Sequence, residues 1–308
     1  MTRLAWIALL FAVGGPVRGA LSADDARFYV VDQAAPGAAD TNPGSEAKPF
    51  RTVQRAADAA KAGDIVYVMA GRYPERVRVT AGGAEGEPIA FVAMPRRSAA
   101  VRGFDLEGSY LRVEGFEITA DKPATAVQLR ASHCEILDNY IHHMAAAVNG
   151  TYGEPRAGGT RDYSAVTHNR IAYNEVYRCQ YGFLLGGNDW LVECNDVSRL
   201  VMYSPGNPND DCDYTRFFGK GCVQRYNYYH DTVTSEIKVA HVDCIQTFMN
   251  NGGMAQDVLF EFNTCFDWGQ GAMVESAPYI GSIRNWTWRH NIYSSNRPAC
   301  KGASGGGS

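Results

Sequence analysis

The sequence predicts an all-β fold, a single-stranded solenoid in which successive coils stack their strands in parallel, and three observations predict it. From residue 134 on, one pattern recurs: apolar, two residues, asparagine, one residue, apolar. The asparagines of this pattern stand 35, 21, 32, 36 and 28 residues apart, so the unit is a coil of about 21 residues that tolerates loop insertions. Between the asparagine-bearing strands lies a second set of strand-like pieces, and the NG or DG turns that an antiparallel sandwich needs are largely missing.

Taken in order, the chain opens with Arg3, an apolar run from Leu4 to Val13 and a Gly/Pro break before small residues. The run is too short to span a bilayer, so residues 1–19 read as a secretory signal peptide and the mature chain is expected to start near Ala20, extracellular or periplasmic. Export permits disulfides among the eight cysteines. Six of them, Cys134, Cys179, Cys194, Cys222, Cys244 and Cys265, sit in or beside strand-like pieces and are expected to pack as small apolar residues, while Cys212 and Cys222, flanking a loop, are the better bridge candidates. Lysine plus arginine (29) nearly balance aspartate plus glutamate (33), and no basic run is interleaved with aromatics, so a nucleic-acid partner is not expected. No later apolar run suggests a membrane span.

Residues 20–300 are expected to form one β-helix domain. Its first elements are a strand near residue 28, a Gly/Pro-rich loop and a short helix, in which Val53, Ala56, Ala57 and Ala60 have helical spacing, Thr52 is placed to N-cap and Gly63 to stop it. "DIVYVMAG" then alternates as a strand. A helix here would cap the open end of the solenoid, which otherwise exposes core and strand edges. The repeat follows, with its asparagine at 139, 174, 195, 227, 263 and 291, and phenylalanine in that slot in "LRVEGFEI". Stacked amides in one register can hydrogen-bond as a ladder, and asparagine tolerates left-handed backbone where a strand turns a corner. The second set of strands comprises "AVQLRA", "AAVNGT", "GFLLGG", "VMYS", "DCIQTF" and "GAMVES". Residues 301–308, "KGASGGGS", read as a flexible tail or linker.

The stretch "DTNPGSEAKPFRTVQRA" followed by "AGDIVYVMAGRY", within residues 28–79, resembles the opening of secreted right-handed parallel β-helix proteins of the pectate-lyase-like superfamily. The resemblance implies a right-handed parallel β-helix with a short N-terminal capping helix, which many such proteins use to act on acidic polysaccharides. Similarity to the family-nine pectate lyases in this opening would imply an aspartate-bound calcium and a lysine base; the asparagine–serine–aspartate–aspartate–glycine run that accompanies them is absent here.

For chemistry, "HVDCIQTF" (241–248) draws attention. Alternation puts Val242, Cys244 and Phe248 inward and His241, Asp243, Ile245 and Thr247 outward, while Gln246 falls on the inward side and would need a buried partner. Aligning "DCIQTF" with "GAMVES" puts Glu275 on the outer face, and Tyr203 and Arg130 are expected to share that lane. Insertions at 149–165, 204–221 and 231–240 adjoin it and would wall a cleft.

The candidate catalytic residues are therefore His241, Asp243, Lys238, Tyr203 and Glu275, and the candidate substrate-binding residues Arg130, Arg216, Gln246 and Trp268. Asp210, Asp211 and Asp213 form an oxygen-rich turn that could hold Ca2+, although they lack the glycine and terminal glutamate of an EF-hand and also suit a solvated acidic turn.

This set suits a polysaccharide lyase acting on a uronic-acid-containing polymer. His241 or Lys238 would be base, oriented by Asp243, Tyr203 the acid, and Arg130, Arg216 or calcium would neutralise the substrate carboxylate. A hydrolase would instead pair Asp243 with Glu275, a C5-epimerase would share the proton-abstraction step, and a glycan-binding adhesin would need the cleft alone. The partner expected is a polysaccharide, and the chain is expected to be a monomer.

Overall fold

The computed structural model describes residues 28–150, 166–203, 211–237, 240–247, 255–267 and 283–294, and the backbone of 271–274. The expected signal peptide and tail lie outside these. Every strand-to-strand pairing in this set is parallel, in one continuous sheet wound into a right-handed parallel β-helix. Among the described residues no helix is long and apolar enough to cross a membrane.

The N-terminal cap forms as its sequence dictates. The helix Val53–Ala59 buries Val53, Ala56 and Ala57, and the Thr52 hydroxyl accepts the Arg55 N–H at 3.2 Å. The Glu75 carboxylate accepts the next two free donors, Val53 N–H at 3.1 Å and Gln54 N–H at 2.9 Å. The helix stops at Ala60, whose extended backbone ends it before Gly63; that glycine, at φ 82°, serves the turn that follows.

Each later coil has three faces. The first stacks Leu111–Glu114, Glu135–Leu137, Arg170–Ala172, Leu191–Glu193 and Val223–Arg225, then Ala255–Glu261 and Ile283–Arg289. The middle face stacks Tyr140–His142, Glu175–Tyr177, Asp196–Ser198, Tyr228–His230, Thr264–Phe266 and Ile292–Ser294. Inward residues meet like on like: Ile118, Ile141, Val176, Val197 and Tyr229 share one register row and are fully buried. The third face stacks Thr125–Leu129, Ala146–Gly150, Tyr181–Asn188, Thr215–Lys220, Asp243–Thr247 and Gly271–Val274.

The asparagine ladder forms. The amide nitrogen of Asn139 donates to Asn174 Oδ1 at 3.0 Å, Asn174 to Asn195 at 3.0 Å, Asn195 to Asn227 at 3.0 Å, Asn227 to Asn263 at 2.9 Å and Asn263 to Asn291 at 3.2 Å. Each Oδ1 also accepts the backbone N–H of the asparagine one coil earlier, and Asn139 accepts that of Phe116 at 2.9 Å. The left-handed residue, however, is the one before each asparagine. Gly115, Asp138, Tyr173, Cys194, Tyr226, Phe262 and His290 have φ between 53° and 76°. The corner is turned one position early so that the amide itself can enter the core. Several of these costly side chains stack outside: Tyr226 on Phe262 at 5.2 Å and Phe262 on His290 at 4.8 Å.

Three other expectations are corrected. The bridge joins Cys244 to Cys265, with Cα atoms 6.4 Å apart, and Cys222 is a buried thiol that accepts from Gln224 Nε2 at 3.7 Å. Strand spacing explains this, since Cys244 and Cys265 project from adjoining faces into the same core. Thr215–Lys220, expected as loop, is the third-face strand above Tyr181–Asn188, and Val201–Tyr203 of "VMYS" has no strand assignment. Phe217, fully buried, anchors that exchange, because it supplies the inward bulk the stack needs. Finally, a bulge between Asp243 and Ile245 changes the alternation of "HVDCIQTF".

Candidate functional site

The bulge decides which residues reach the outer row of the third face. An extra residue in one strand moves every later side chain to the opposite side. Beyond it, Gln246 pairs with Arg216, which pairs with Leu184, and the same row runs back through Asn149 to Gln128. Phe183, Leu185 and Phe217, the row's strand neighbours, are fully buried in the core, so the row itself is outward. Gln246 therefore lies on the outer row and Ile245 and Thr247 do not, the reverse of the simple alternation.

A second local feature brings the acidic residues in. The segment 211–214 is laid between two rungs: Gly182 N–H donates to Asp213 O at 3.0 Å, while Cys212 N–H donates to His241 O at 2.9 Å and Tyr214 N–H to Asp243 O at 3.0 Å. Gly182 is required there, since a Cβ would stand 2.2 Å from the Tyr214 carbonyl oxygen.

The result is one polar cluster. Asp211 Oδ2 is 2.7 Å from Arg216 Nη2, the Asp213 carboxylate meets the same nitrogen, and Gln246 Nε2 is 3.5 Å from Asp211 Oδ2. His241 Nδ1 is 3.4 Å from Asp211 Oδ1, and the His241 side chain is 49% exposed where that of Arg216 is 9%. Tyr181 lies beneath, its ring centroid 5.3 Å from the Arg216 guanidinium carbon and its hydroxyl accepting the Asp211 N–H at 3.3 Å. Gln180 Nε2 donates to Asp211 O at 3.3 Å.

One guanidinium thus faces two carboxylates. Asp213 is fully buried, and burial pushes its carboxyl up to about 7; Arg216 opposes the rise and Asp211 adds to it. Burial likewise raises the Tyr181 phenol to about 12, so it stays protonated at neutral pH. The arrangement offers an imidazole open to solvent, backed by a carboxylate at Nδ1, next to a nearly buried cation.

Of the residues singled out from the sequence, His241, Asp211, Asp213, Arg216 and Gln246 meet here. Asp243 lies in the same strand region but is fully buried, so it does not share an outer surface with His241; Asp211 stands beside the imidazole instead. Tyr203 is at the corner, donating its hydroxyl to Arg178 O at 2.6 Å, and among the described residues it meets the cluster through Gln180, whose Oε1 accepts the Tyr203 N–H at 3.3 Å. Arg130 is exposed on the same face, two residues past Gln128 and three rungs from Arg216. Lys238, Glu275, Trp268 and Asp210 lie outside the described residues.

The sequence pattern does not single out Gln180 and Tyr181, because "GFLLGG" begins one residue after the strand Tyr181–Asn188 does and Gln180 precedes that strand. Among the described residues no group of three or more His, Cys, Asp or Glu is placed to hold a metal ion. Asp211 and Asp213 are both committed to Arg216, so the residues described here do not fit a calcium site.

Comparison with known proteins agrees with this architecture. A family model described as "Protein of unknown function (DUF1565)" matches residues 36–80, the capping region and first coil. YwoF of Bacillus subtilis (strain 168), an uncharacterized protein, is 28% identical over 128 residues, which are 34% of this chain and 27% of YwoF, so the match spans about a quarter of that relative's length. Among solved structures, XylC in complex with xylose superposes with a TM-score of 0.59 at 14% identity, covering 87% of this chain and 66% of that one. The alginate lyase of Paenibacillus sp. str. FPU-7 superposes at 0.51 with 14% identity, covering 80% of this chain and 96% of the lyase. The chain therefore shares the right-handed parallel β-helix fold.

Proposed function

We propose that this chain is a carbohydrate-active β-helix that cleaves a uronic-acid-containing polysaccharide by β-elimination at the His241–Arg216 cluster. The observation that carries the reading is the contact chain from a half-exposed imidazole through Asp211 to Arg216 on one outer face. An alginate lyase and a xylose-bound protein among the structures of like fold support the carbohydrate class.

Elimination requires loss of the proton alpha to the uronate carboxylate. Arg216 would bind that carboxylate and stabilise the charge that develops on it. Asp211 at Nδ1 favours the tautomer with its proton there, which leaves Nε2 of His241 as the base. The Tyr181 phenol, protonated at neutral pH, would donate to the departing oxygen as the bond to it breaks. Gln246 would add a hydrogen bond to the sugar. Arg130, three rungs away, would meet a distant residue of a polymer lying along the solenoid. This scheme uses Arg216 as the cation, so treatment with EDTA is expected to leave turnover unchanged.

Incubation with a panel of polyuronides, followed for both ultraviolet absorbance of unsaturated ends and total reducing ends, tests the reading. Equal growth of the two signals is expected. Reducing ends without absorbance would replace it with hydrolysis, and binding without either product would replace it with a glycan-binding role; a secreted location would be checked by N-terminal sequencing of exported protein near Ala20.

A further inference from the structure

On the corner between the first and middle faces, opposite the third, the outer aromatic stack lacks one ring, and we propose that the gap binds a pyranose ring of a polysaccharide. Tyr173, Cys194, Tyr226, Phe262 and His290 hold equivalent left-handed positions there in successive coils. Their backbone fixes the register: the N–H of Tyr173 donates to Glu193 O at 3.3 Å, that of Cys194 to Arg225 O at 3.1 Å and that of Tyr226 to Glu261 O at 3.3 Å, each carbonyl standing just before the next corner residue. Tyr226, Phe262 and His290 stack within 13° of parallel. One face of the Tyr226 ring is thus covered by Phe262, and the other turns to the coil where Cys194 supplies only a thiol.

The gap has the dimensions of one ring. Tyr173 and Tyr226 stand two strand spacings apart, roughly 9.5 Å, which leaves room for one ring at stacking distance from both. Both tyrosines are 53% exposed. A bulky side chain at positive φ strains the backbone. Tyr226 offsets that strain by stacking on Phe262, whereas Tyr173, at φ 62°, meets no other ring among the described residues; its neighbour is Arg170, whose guanidinium carbon lies 5.7 Å from the ring centroid. Strain kept at an exposed aromatic that packs on no other ring points to a ligand.

The first-face wall of the gap is built and fixed. Glu193, in the coil of Cys194, draws Arg170 and Arg225 towards the gap from the coils on either side, each through Nε and Nη2 at 2.7–2.9 Å. The Arg225 side chain is 39% exposed, and its Nη1 is not engaged by Glu193, so it serves as a donor at the mouth. Burial raises the Cys194 thiol, which stays uncharged as the floor. A pyranose suits this lining, because its C–H faces stack on the rings and the hydroxyls around its edge accept from guanidinium N–H groups. A bare aromatic ring would stack as well but leave those donors unused. Arg216 lies on another face, so binding here can be read in a variant that lacks that arginine.

Isothermal titration calorimetry of the full chain carrying Arg216→Gln, with xylotriose, cellotriose and trigalacturonate, tests it. At least one of the three is expected to bind at millimolar concentration. Adding Cys194→Phe fills the gap with a ring of the protein's own and is expected to weaken that binding about tenfold or more without lowering the thermal midpoint. Tyr226→Ala, which removes one stacking face, is expected to weaken it as much and keeps the test decisive if the first variant misfolds. Tyr226→Phe keeps the face and is expected to retain the affinity within about twofold. Absence of sugar binding, unchanged binding in Cys194→Phe or Tyr226→Ala, binding lost in Tyr226→Phe, or p-cresol binding more tightly than every sugar would each overturn the assignment.

Discussion

At the scale of the residue, two buried polar groups have consequences that can be measured. Each ladder asparagine after Asn139 accepts two hydrogen bonds from the coil before it, so Asn195→Ala leaves the Asn174 backbone N–H without its acceptor and takes one of three acceptors from the Asn174 amide nitrogen. An unsatisfied buried donor costs about 1–3 kcal/mol, so a loss of that size is expected in urea unfolding. Asp213 acts through pH. Its carboxyl is raised to about 7 by burial in the fold, against about 4 in the unfolded chain. Between those values the folded state holds a proton that the unfolded state has released, so stability falls as pH rises from about 4 to about 7. Asp213→Asn is expected to flatten that slope in thermal melts taken across the window; an unchanged slope would mean that the carboxyl ionises normally. The ladder was legible from six asparagines at one slot of a repeating pattern. The pairing of Asp211 with His241 was not, because it depends on where a loop segment is laid.

At the scale of the element, the strand Asp243–Thr247 and the segment beneath it control the site. The bulge that turns Gln246 outward has no marker in "HVDCIQTF", where period-two alternation reads cleanly straight through it. Local pattern cannot reveal it, since the bulge is set by pairing with the neighbouring coil. Thr215–Lys220 was hidden for a related reason: its insertion carries aspartates and glycine that resemble loop, while its strand partner lies more than thirty residues earlier. By contrast, the capping helix and its Thr52 cap were legible because both depend on neighbours in sequence. Two predictions belong here. Gly182→Ala drives a methyl against the Tyr214 carbonyl oxygen, displaces residues 211–214 and is expected to cut turnover at least tenfold while the far-UV circular dichroism stays that of a β-helix. The Cys244–Cys265 bridge closes a separation of 21 residues, so Cys265→Ser is expected to lower stability by about 3 kcal/mol in denaturant titration.

At the scale of the whole molecule, stacked coils give rigid rows of equivalent positions, and function comes from what breaks the repeat. On the third face a bulge and the segment 211–214 laid between two rungs gather His241, Asp211, Arg216 and Gln246. The helical architecture could be read from the asparagine spacing and the end cap because repetition averages out local ambiguity. The sites could not be read as well, since each is a departure from the pattern that makes the fold legible. The central claim is that the imidazole of His241 removes the proton on this face. Initial rates of unsaturated-end formation on a cleaved polyuronide, compared between the unaltered chain and His241→Ala under identical conditions, test it most directly. The account predicts a fall of about 10²–10⁴-fold with folding intact; a variant that keeps its full rate would contradict it.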